Sequence, residues 1–148
     1  MRSRKTNFLQ SVVLITGIIY VIIGGLFALS PHLFGNIFSV DINEDWFNEI
    51  PKDPFMFMTL TLSRSLSFLL FTIGLSMVLP LFDPLKYRGL VYYTGIIFPF
   101  VATLIFVINT IINSVGILML YSALFFIIFI STSVALWLTR ESVKSGIE

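Results

Sequence analysis

Long uncharged stretches of apolar residues alternate with short polar ones along the whole chain. Residues 8–29 carry no charge, residues 55–79 carry only Arg64, and residues 89–139 carry none. As a helix, the first stretch would be about 33 Å long, enough to cross a hydrocarbon core of about 30 Å. The last stretch would be about 75 Å long, more than twice that thickness, so it must fold back on itself.

Two local signals divide these stretches into membrane-spanning helices. The turn-forming residues 113–116, with the sequence Asn-Ser-Val-Gly, predict the fold-back near the middle of the last stretch. Pro80 is expected to end the second stretch, because proline cannot donate the next helical hydrogen bond. The pattern therefore predicts an all-α polytopic membrane protein, an up-down bundle of four transmembrane helices in one domain covering residues 1–148. The expected spans are approximately residues 8–29, 55–79, 89–112 and 117–138, with an outer segment at residues 30–54.

The composition excludes several other classes of protein. Hydrophobic residues make up 57% of the chain and charged residues 11%, whereas soluble domains are about 25% charged. A net charge of +1 provides no basic footprint for nucleic acid. The chain has no cysteine and one histidine, His32, so it offers no disulfide frame, no cysteine nucleophile and no multi-histidine metal site.

No arrangement of side chains typical of an active site is visible either. The predicted spans contain no carboxylate pair, and their serines have no histidine at the same depth. We therefore expect a protein that is not an enzyme and holds neither a metal nor a dedicated cofactor. A bound lipid or quinone is the one small-molecule occupant that the sequence leaves open.

The basic residues fall on one side of the predicted topology. They lie in the amino terminus, the second connection and the tail, as Arg2, Arg4, Lys5, Lys86, Arg88, Arg140 and Lys144. Residues 30–54 hold acidic residues instead, namely Asp41, Glu44, Asp45, Glu49 and Asp53. The positive-inside rule predicts that both termini lie in the cytoplasm, and that residues 30–54 face outward from the inner or plasma membrane.

The outer segment is expected to contain a short interfacial helix. Ser30-Pro31 is a typical helix start, and apolar residues at positions 33, 34, 37 and 38 recur at helical spacing. Such a helix would seal the bundle end, with His32 as an interfacial polar residue. A gate or docking surface for an outside partner is the alternative.

The amino-terminal stretch also has features of a signal peptide. Basic residues precede an apolar run that ends in Ala28-Leu29-Ser30, a small-residue pattern at which signal peptidase could cut. The run is longer than a signal core of about 7–15 residues, and Pro31 would follow the cut. We therefore expect the first span to be retained.

Arg64 is the one charge inside a predicted span, and charged side chains at such depth are rare and costly. It lies about 12 Å from the outer end of its span, counted by helical rise. Thr61 and Ser67 are expected to share its helical face, which we expect to point into the bundle. Counting rise from the outer ends brings three further polar side chains close to this level, namely Tyr20, Asn109 and Tyr121 on the first, third and fourth spans.

Two roles are open for Arg64, because its guanidinium has five donors and no span contains a carboxylate. In a structural role it would reach up to Glu49 or Asp53, or bond helix carbonyls, Tyr20 and Asn109. In a functional role, an anionic or carbonyl-bearing ligand such as a lipid phosphate, a quinone or a fatty acid would complete its shell. The candidate binding site would then consist of Arg64, Thr61, Ser67, Tyr20, Asn109 and Tyr121.

Several features of layout are shared with one known group of proteins. They are an outer loop after the first span, an arginine early in the second, Gly74 late in it, and the basic connection at residues 83–88. This layout resembles the small bacterial four-helix membrane proteins called DoxX-like. The resemblance implies a four-helix membrane fold and, because some members are accessory subunits of quinone-linked oxidoreductases, a subunit role. Only Arg64 maps onto it as a functional residue.

These observations favour a non-enzymatic integral membrane protein. It would act as an accessory or scaffold subunit, or bind a small lipophilic or anionic amphiphile through the outer half of the bundle. Its expected partners are the lipid bilayer and either another membrane protein or further copies of itself, and no nucleic acid. The alternative is a transporter or channel subunit, which would have to oligomerise to enclose a pathway and shows no inverted repeat.

Overall fold

A computed structural model describes residues 4–30, 53–84 and 86–144, without the side chains of residues 141–144. Four helical spans account for almost all of this part of the chain. They are Arg4–Leu29, Pro54–Phe82, Arg88–Asn113 and Ile117–Arg140, each long and apolar enough to cross a membrane. The fold is all-α, as predicted, and the chain is a four-span integral membrane protein. The predicted interfacial helix, with His32 and Glu49, lies outside the described residues.

The helix of the second span is interrupted before Pro80 and then resumes, rather than ending at Pro80. One helix covers Pro54–Ser76 and another covers Val78–Phe82, with Met77 between them. Pro80 has no N–H for the Ser76 carbonyl and its ring crowds that carbonyl, so the longer helix stops there. The helix can restart because N–H groups in a first turn need no helical partner. The span was predicted to end near residue 79, and it continues through a short helix to Phe82.

The third span changes its winding near its buried proline, Pro99. It is α-helical over Arg88–Tyr92, π-helical over Tyr93–Ile97 and α-helical again over Phe98–Asn113. Within this stretch the Phe98 N–H donates to the Tyr93 carbonyl, five residues back. Pro99 cannot donate to the residues four and five positions before it, so the regular ladder is interrupted here.

The hairpin between the third and fourth spans is confirmed at residues 114–116. Ser114 adopts a left-handed conformation with φ of 55° and donates its N–H to the Thr110 carbonyl at 2.9 Å. The fourth helix begins immediately afterwards, as Ile117–Lys144. This short turn makes the third and fourth spans antiparallel neighbours.

The first span packs against both the second and the fourth. Its closest approach is to the second span, where glycines replace side chains. A Cβ on Gly24 would lie 2.5 Å from the Phe71 nitrogen, and one on Gly74 would lie 2.7 Å from the Val21 nitrogen. Small residues thus allow the two backbones to touch, a common mode of helix association in membranes.

The bundle has two chemically different ends. Leu29 and the hairpin lie at one end, which we call the hairpin end. The other, the basic end, carries the exposed residues Arg4, Lys5, Lys86, Arg88 and Arg140. Between the ends, many large apolar side chains are exposed, including Ile22, Leu69, Ile111 and Phe126. A continuous apolar exterior of this kind is what hydrocarbon surrounds in a membrane protein.

Candidate functional site

A groove separates the second and third spans over the half of the bundle nearer the hairpin. The third span packs mainly on the fourth, and its contact with the second is concentrated where the chain passes from one to the other. Toward the hairpin end the two spans leave a cavity of about 310 Å³ between them. That volume is at the lower end of the range of about 300–1,000 Å³ typical of small-molecule sites.

All four spans contribute to the walls of this groove. The lining residues are Ile23, Phe27, Leu66, Ser67, Leu69, Leu70, Ile73, Phe98, Ala102, Ile105, Phe106, Tyr121 and Phe125. Leu66 and Leu69 on one rim and Ile105 on the other are exposed, each by more than half of its surface. The groove therefore opens sideways, toward the region that hydrocarbon occupies around a membrane protein.

The floor of the groove is made of interlocking aromatic rings. Phe125 is buried and its ring lies 5.7 Å from Phe106, 5.9 Å from Phe98 and 6.1 Å from Tyr20, between centroids. Such edge and offset contacts hold rings in fixed orientations. The floor is consequently rigid and apolar, and it suits a hydrocarbon or a flat ring rather than an ion.

Two polar residues predicted for the site line this groove. Ser67 is buried and its hydroxyl donates to the Ser63 carbonyl at 2.8 Å, so its hydrogen-bonding capacity is used within its own helix. Tyr121 stands beside Phe27 and Phe106, with ring centroids 6.3 Å and 6.0 Å away. Tyr121 begins the second turn of the fourth helix, so its phenol belongs to the hairpin end of the groove.

Asn109 lies on the same face of the third helix as the groove-lining residues, one turn nearer the hairpin. Phe98, Ala102 and Ile105 line the groove at helical spacing, and Asn109 comes four residues after Ile105 on the same face. Its amide donates to the Ile105 carbonyl at 2.8 Å and accepts from Asn113 at 3.4 Å. Polar groups therefore lie near the hairpin end of an otherwise apolar groove.

Tyr20 is fully buried and has a different partner from the one predicted. Its hydroxyl donates to the Thr94 carbonyl at 2.9 Å. Pro99, five residues after Thr94, has no N–H to offer that carbonyl, so the phenol supplies the missing donor. Of the partners considered for Arg64, Tyr20 is therefore occupied elsewhere, and its ring lies 6.1 Å from that of Phe125.

Arg64 lies nearer the hairpin end than its place in the helix suggests. Gly24 touches the backbone of Ser67 and Phe71, and this antiparallel register brings Arg64 level with Leu29, the last residue of the first helix. Tyr20 lies about 13 Å further into the bundle, from nine residues of helical rise. The prediction that Arg64 and Tyr20 share a level was wrong. The second helix begins well beyond the level at which the first helix ends, so its early residues lie further from Tyr20 than a count from its own start suggests.

Arg64 also faces away from the groove. Its side chain and that of Thr61 are exposed, whereas Ser63 and Ser67 are buried. Thr61 donates its hydroxyl to the Phe57 carbonyl, within its own helix. The structure therefore brings Ser67 and Tyr121 to the groove, with Tyr20 beneath it. Asn109 lies one turn beyond the lining residues, and Arg64 and Thr61 face elsewhere.

Sequence reasoning missed most of the groove wall. Ala102, Phe98 and Phe106 read as ordinary parts of an apolar helix, because lipid-facing and inward residues have the same character in a membrane. Pro99 was the available signal, since a proline within a span marks a place where helix geometry changes. Among the residues that the structure describes, no three His, Cys, Asp or Glu side chains lie close enough to hold a metal ion.

Comparison of the chain with protein families, with curated proteins and with solved structures gives no match in any of the three. The geometry of the groove is therefore the basis on which a function can be proposed.

Proposed function

We propose that this protein binds a lipophilic molecule in the groove between its second and third spans, without transforming it. The observation that carries the proposal is the cavity of about 310 Å³, open at the side and lined by apolar residues of all four spans. A ligand could enter from the bilayer without crossing water. The rigid aromatic floor favours an acyl or isoprenoid chain or a flat ring.

The ligand's polar end would lie toward the hairpin. Asn109 and Tyr121 supply an amide and a phenol at that end, and a phenol O–H can donate to an ester or quinone carbonyl. Ionised groups do not line the groove, because Arg64 is exposed on another side of its helix. The chemistry therefore favours a neutral head group that accepts hydrogen bonds, such as a quinone or a glyceride.

The orientation in the membrane is part of the same proposal. The exposed basic residues at the basic end outnumber the two acidic residues of the described chain there, Asp83 and Glu141, and support a cytoplasmic location for that end. The groove would then open to the outer leaflet. A subunit role, as in some DoxX-like proteins, is compatible with this, since a bound lipophile could be presented to a partner.

Native mass spectrometry tests the proposal on protein extracted from its membrane in mild detergent. We expect one lipophilic molecule with a neutral head group per chain, identified by its mass and lost in Ala102→Phe, which fills the groove from the third span. The matched control is Ala123→Phe, which adds the same ring at an exposed position of the fourth span outside the groove. Retention of the molecule by Ala102→Phe, or loss from both variants alike, would overturn the proposal.

The same spectra address the alternative function. A defined homo-oligomer with no bound lipophile would favour the oligomeric transporter or channel subunit over the binding protein. A single lipophile on a single chain, sensitive to Ala102→Phe, would favour the proposal made here.

A further inference from the structure

A second feature lies on the opposite side of the second span from the groove. Arg64, Phe68 and Leu75 are all exposed. Separations of four and eleven residues are close to one and three helical turns, so these side chains form one stripe along the helix. Leu66 and Leu70, which line the groove, fall on the other side of the helix. The stripe is therefore a separate surface.

A shallow apolar hollow lies at the inner end of this stripe. It has a volume of about 150 Å³ and is lined only by residues of the first two spans, Leu75 among them. Gly17 and Gly74 form its floor, because the two backbones meet there without side chains between them. Val78 also lines it, on the side toward the basic end. The hollow lies where the two backbones pack closely at these glycines, which leaves space on the outer surface.

The separation between charge and hollow has the scale of a lipid chain. Eleven residues of helical rise place Leu75 about 16 Å from Arg64. One leaflet of the hydrocarbon core is about 15 Å thick, half of the whole. Arg64 is level with the end of the first helix, and its side chain leans toward the helix amino terminus, which is the hairpin end. The guanidinium is thus placed at the level where the first helix ends, and the hollow lies near the middle of that helix.

We infer that this stripe is a binding site for an anionic phospholipid of the leaflet at the hairpin end. The Arg64 guanidinium donates to the phosphate, and an acyl chain runs over Phe68 and ends in the hollow beside Leu75. Arginine binds phosphate with two parallel N–H donors. The positive charge of Arg64 favours an anionic head group. The wholly apolar hollow favours a ligand with an acyl chain over a soluble phosphate.

A second copy of this protein fits the stripe less well. The four described spans contain no carboxylate, so these spans of a second copy would bring another Arg64 without a counter-charge. A phospholipid supplies the negative charge and the apolar chain in one molecule. The site is independent of the lipophile proposed for the groove, because no residue of the stripe lines the groove.

Lipid titration followed by native mass spectrometry tests this inference, with phosphatidylglycerol and phosphatidylcholine of identical chains as probes. We expect wild-type protein to retain phosphatidylglycerol at least tenfold more strongly, and Arg64→Leu to abolish that preference. Arg64→Lys should keep part of it, because a lysine retains the charge but not the two-donor geometry. Val78→Phe, which fills the hollow, should weaken retention of phosphatidylglycerol while leaving Arg64 in place.

Two controls separate this site from other effects. Arg88→Leu removes an exposed arginine at the basic end, and the preference for phosphatidylglycerol should survive it. Leu79→Phe adds a ring at a residue exposed like Val78 but outside the hollow, and it should leave retention unchanged. Equal losses in Arg64→Leu and Arg88→Leu, no preference in the wild type, or dimers that depend on Arg64 would each overturn the inference. Ala102→Phe should not alter this preference, so failure of the groove proposal is a distinguishable result.

Discussion

Tyr20 supplies the third span with a hydrogen-bond donor in place of the one that Pro99 lacks. The phenol reaches across from the first span to the Thr94 carbonyl, at 2.9 Å, inside a part of the bundle that water does not enter. The Thr94 hydroxyl at the same point donates to the Leu90 carbonyl and approaches the Met77 sulfur at 2.8 Å. One buried side chain thus joins the first span to the irregular part of the third.

Tyr20→Phe removes only the phenol hydroxyl and should destabilise the protein by about 1–2 kcal/mol, because the Thr94 carbonyl loses its donor in an apolar surrounding. The free energy of unfolding in a denaturing-detergent titration measures this loss. Tyr93→Phe is the control, since Tyr93 is an exposed tyrosine next to Thr94 in the chain. Equal effects of the two substitutions would contradict the role given to Tyr20.

Arg64 shows what sequence can and cannot predict about a single residue. Its presence within a span was evident from the charge pattern, and its depth was counted from the end of its own helix. Its true level depends on how far the second helix overlaps the first, which is set by Gly24 packing on Ser67 and Phe71. No local pattern records that overlap. The direction of its side chain was equally unpredictable. Arg64 and Ser67 are only three residues apart and were expected to share a face, yet Arg64 is exposed and Ser67 is buried.

At the scale of elements, the pairing of the first two spans determines the rest of the bundle. Gly17 and Gly24 on one helix, and Ser67 and Gly74 on the other, repeat at seven residues, the spacing of left-handed helix pairs. The two backbones approach closely at the three glycines, where an added Cβ would lie 2.5–3.0 Å from the neighbouring helix. Hydrophobic attraction between helices is weak in lipid, so such contacts decide which helices pair.

Gly24→Ala should destabilise the protein by about 1–3 kcal/mol, because the new methyl group meets backbone atoms that cannot move aside. Its neighbour provides the control: a Cβ on Gly25 would lie 3.7 Å from the Phe71 ring, an ordinary contact. Gly25→Ala should be neutral or slightly stabilising. Denaturing-detergent titrations of both variants measure the difference, and equal destabilisation would contradict the proposed backbone contact.

The bounds of the helices were predicted well where charge or turn residues mark them and less well elsewhere. The hairpin at residues 114–116 follows from its turn-forming residues. The end of the second span does not follow from Pro80 alone, since a proline also fits the first turn of a new helix. The same local sequence is compatible with a helix that ends at Pro80 and with one that restarts there. The packing around buried Met77 and Pro80 selects the restart.

At the scale of the whole molecule, the uncharged runs predicted four spans and an up-down order, and both are observed. The groove was not predictable, because hydrocarbon outside and protein inside select the same apolar residues. The candidate site residues were therefore matched by their depth in the membrane and not by the direction of their side chains. Tyr121 lines the groove and Asn109 lies one turn beyond its lining residues, whereas Arg64 and Thr61 face elsewhere, since direction depends on the order in which the helices pack.

The proposed orientation can be tested in a chain that contains no cysteine. Gly116 at the hairpin and Gly89 near the basic end both have open space where a side chain would project. In right-side-out vesicles, a membrane-impermeant maleimide should label Gly116→Cys directly and Gly89→Cys only after detergent is added. The reverse pattern would place the termini outside, and labelling of both before detergent would contradict a third span that crosses the membrane.

Photolabelling in the bilayer tests the central claim, that the groove admits a lipophilic chain from the side. A small fraction of diacylglycerol carrying a diazirine on its acyl chain would be activated, and the labelled residues identified by peptide mass spectrometry. Leu66, Leu69 and Ile105 at the groove should be labelled more than Phe126 and Ile127, which are similarly exposed to surrounding lipid. Ala102→Phe should remove that excess. Even labelling of all five residues, unchanged by Ala102→Phe, would contradict the claim.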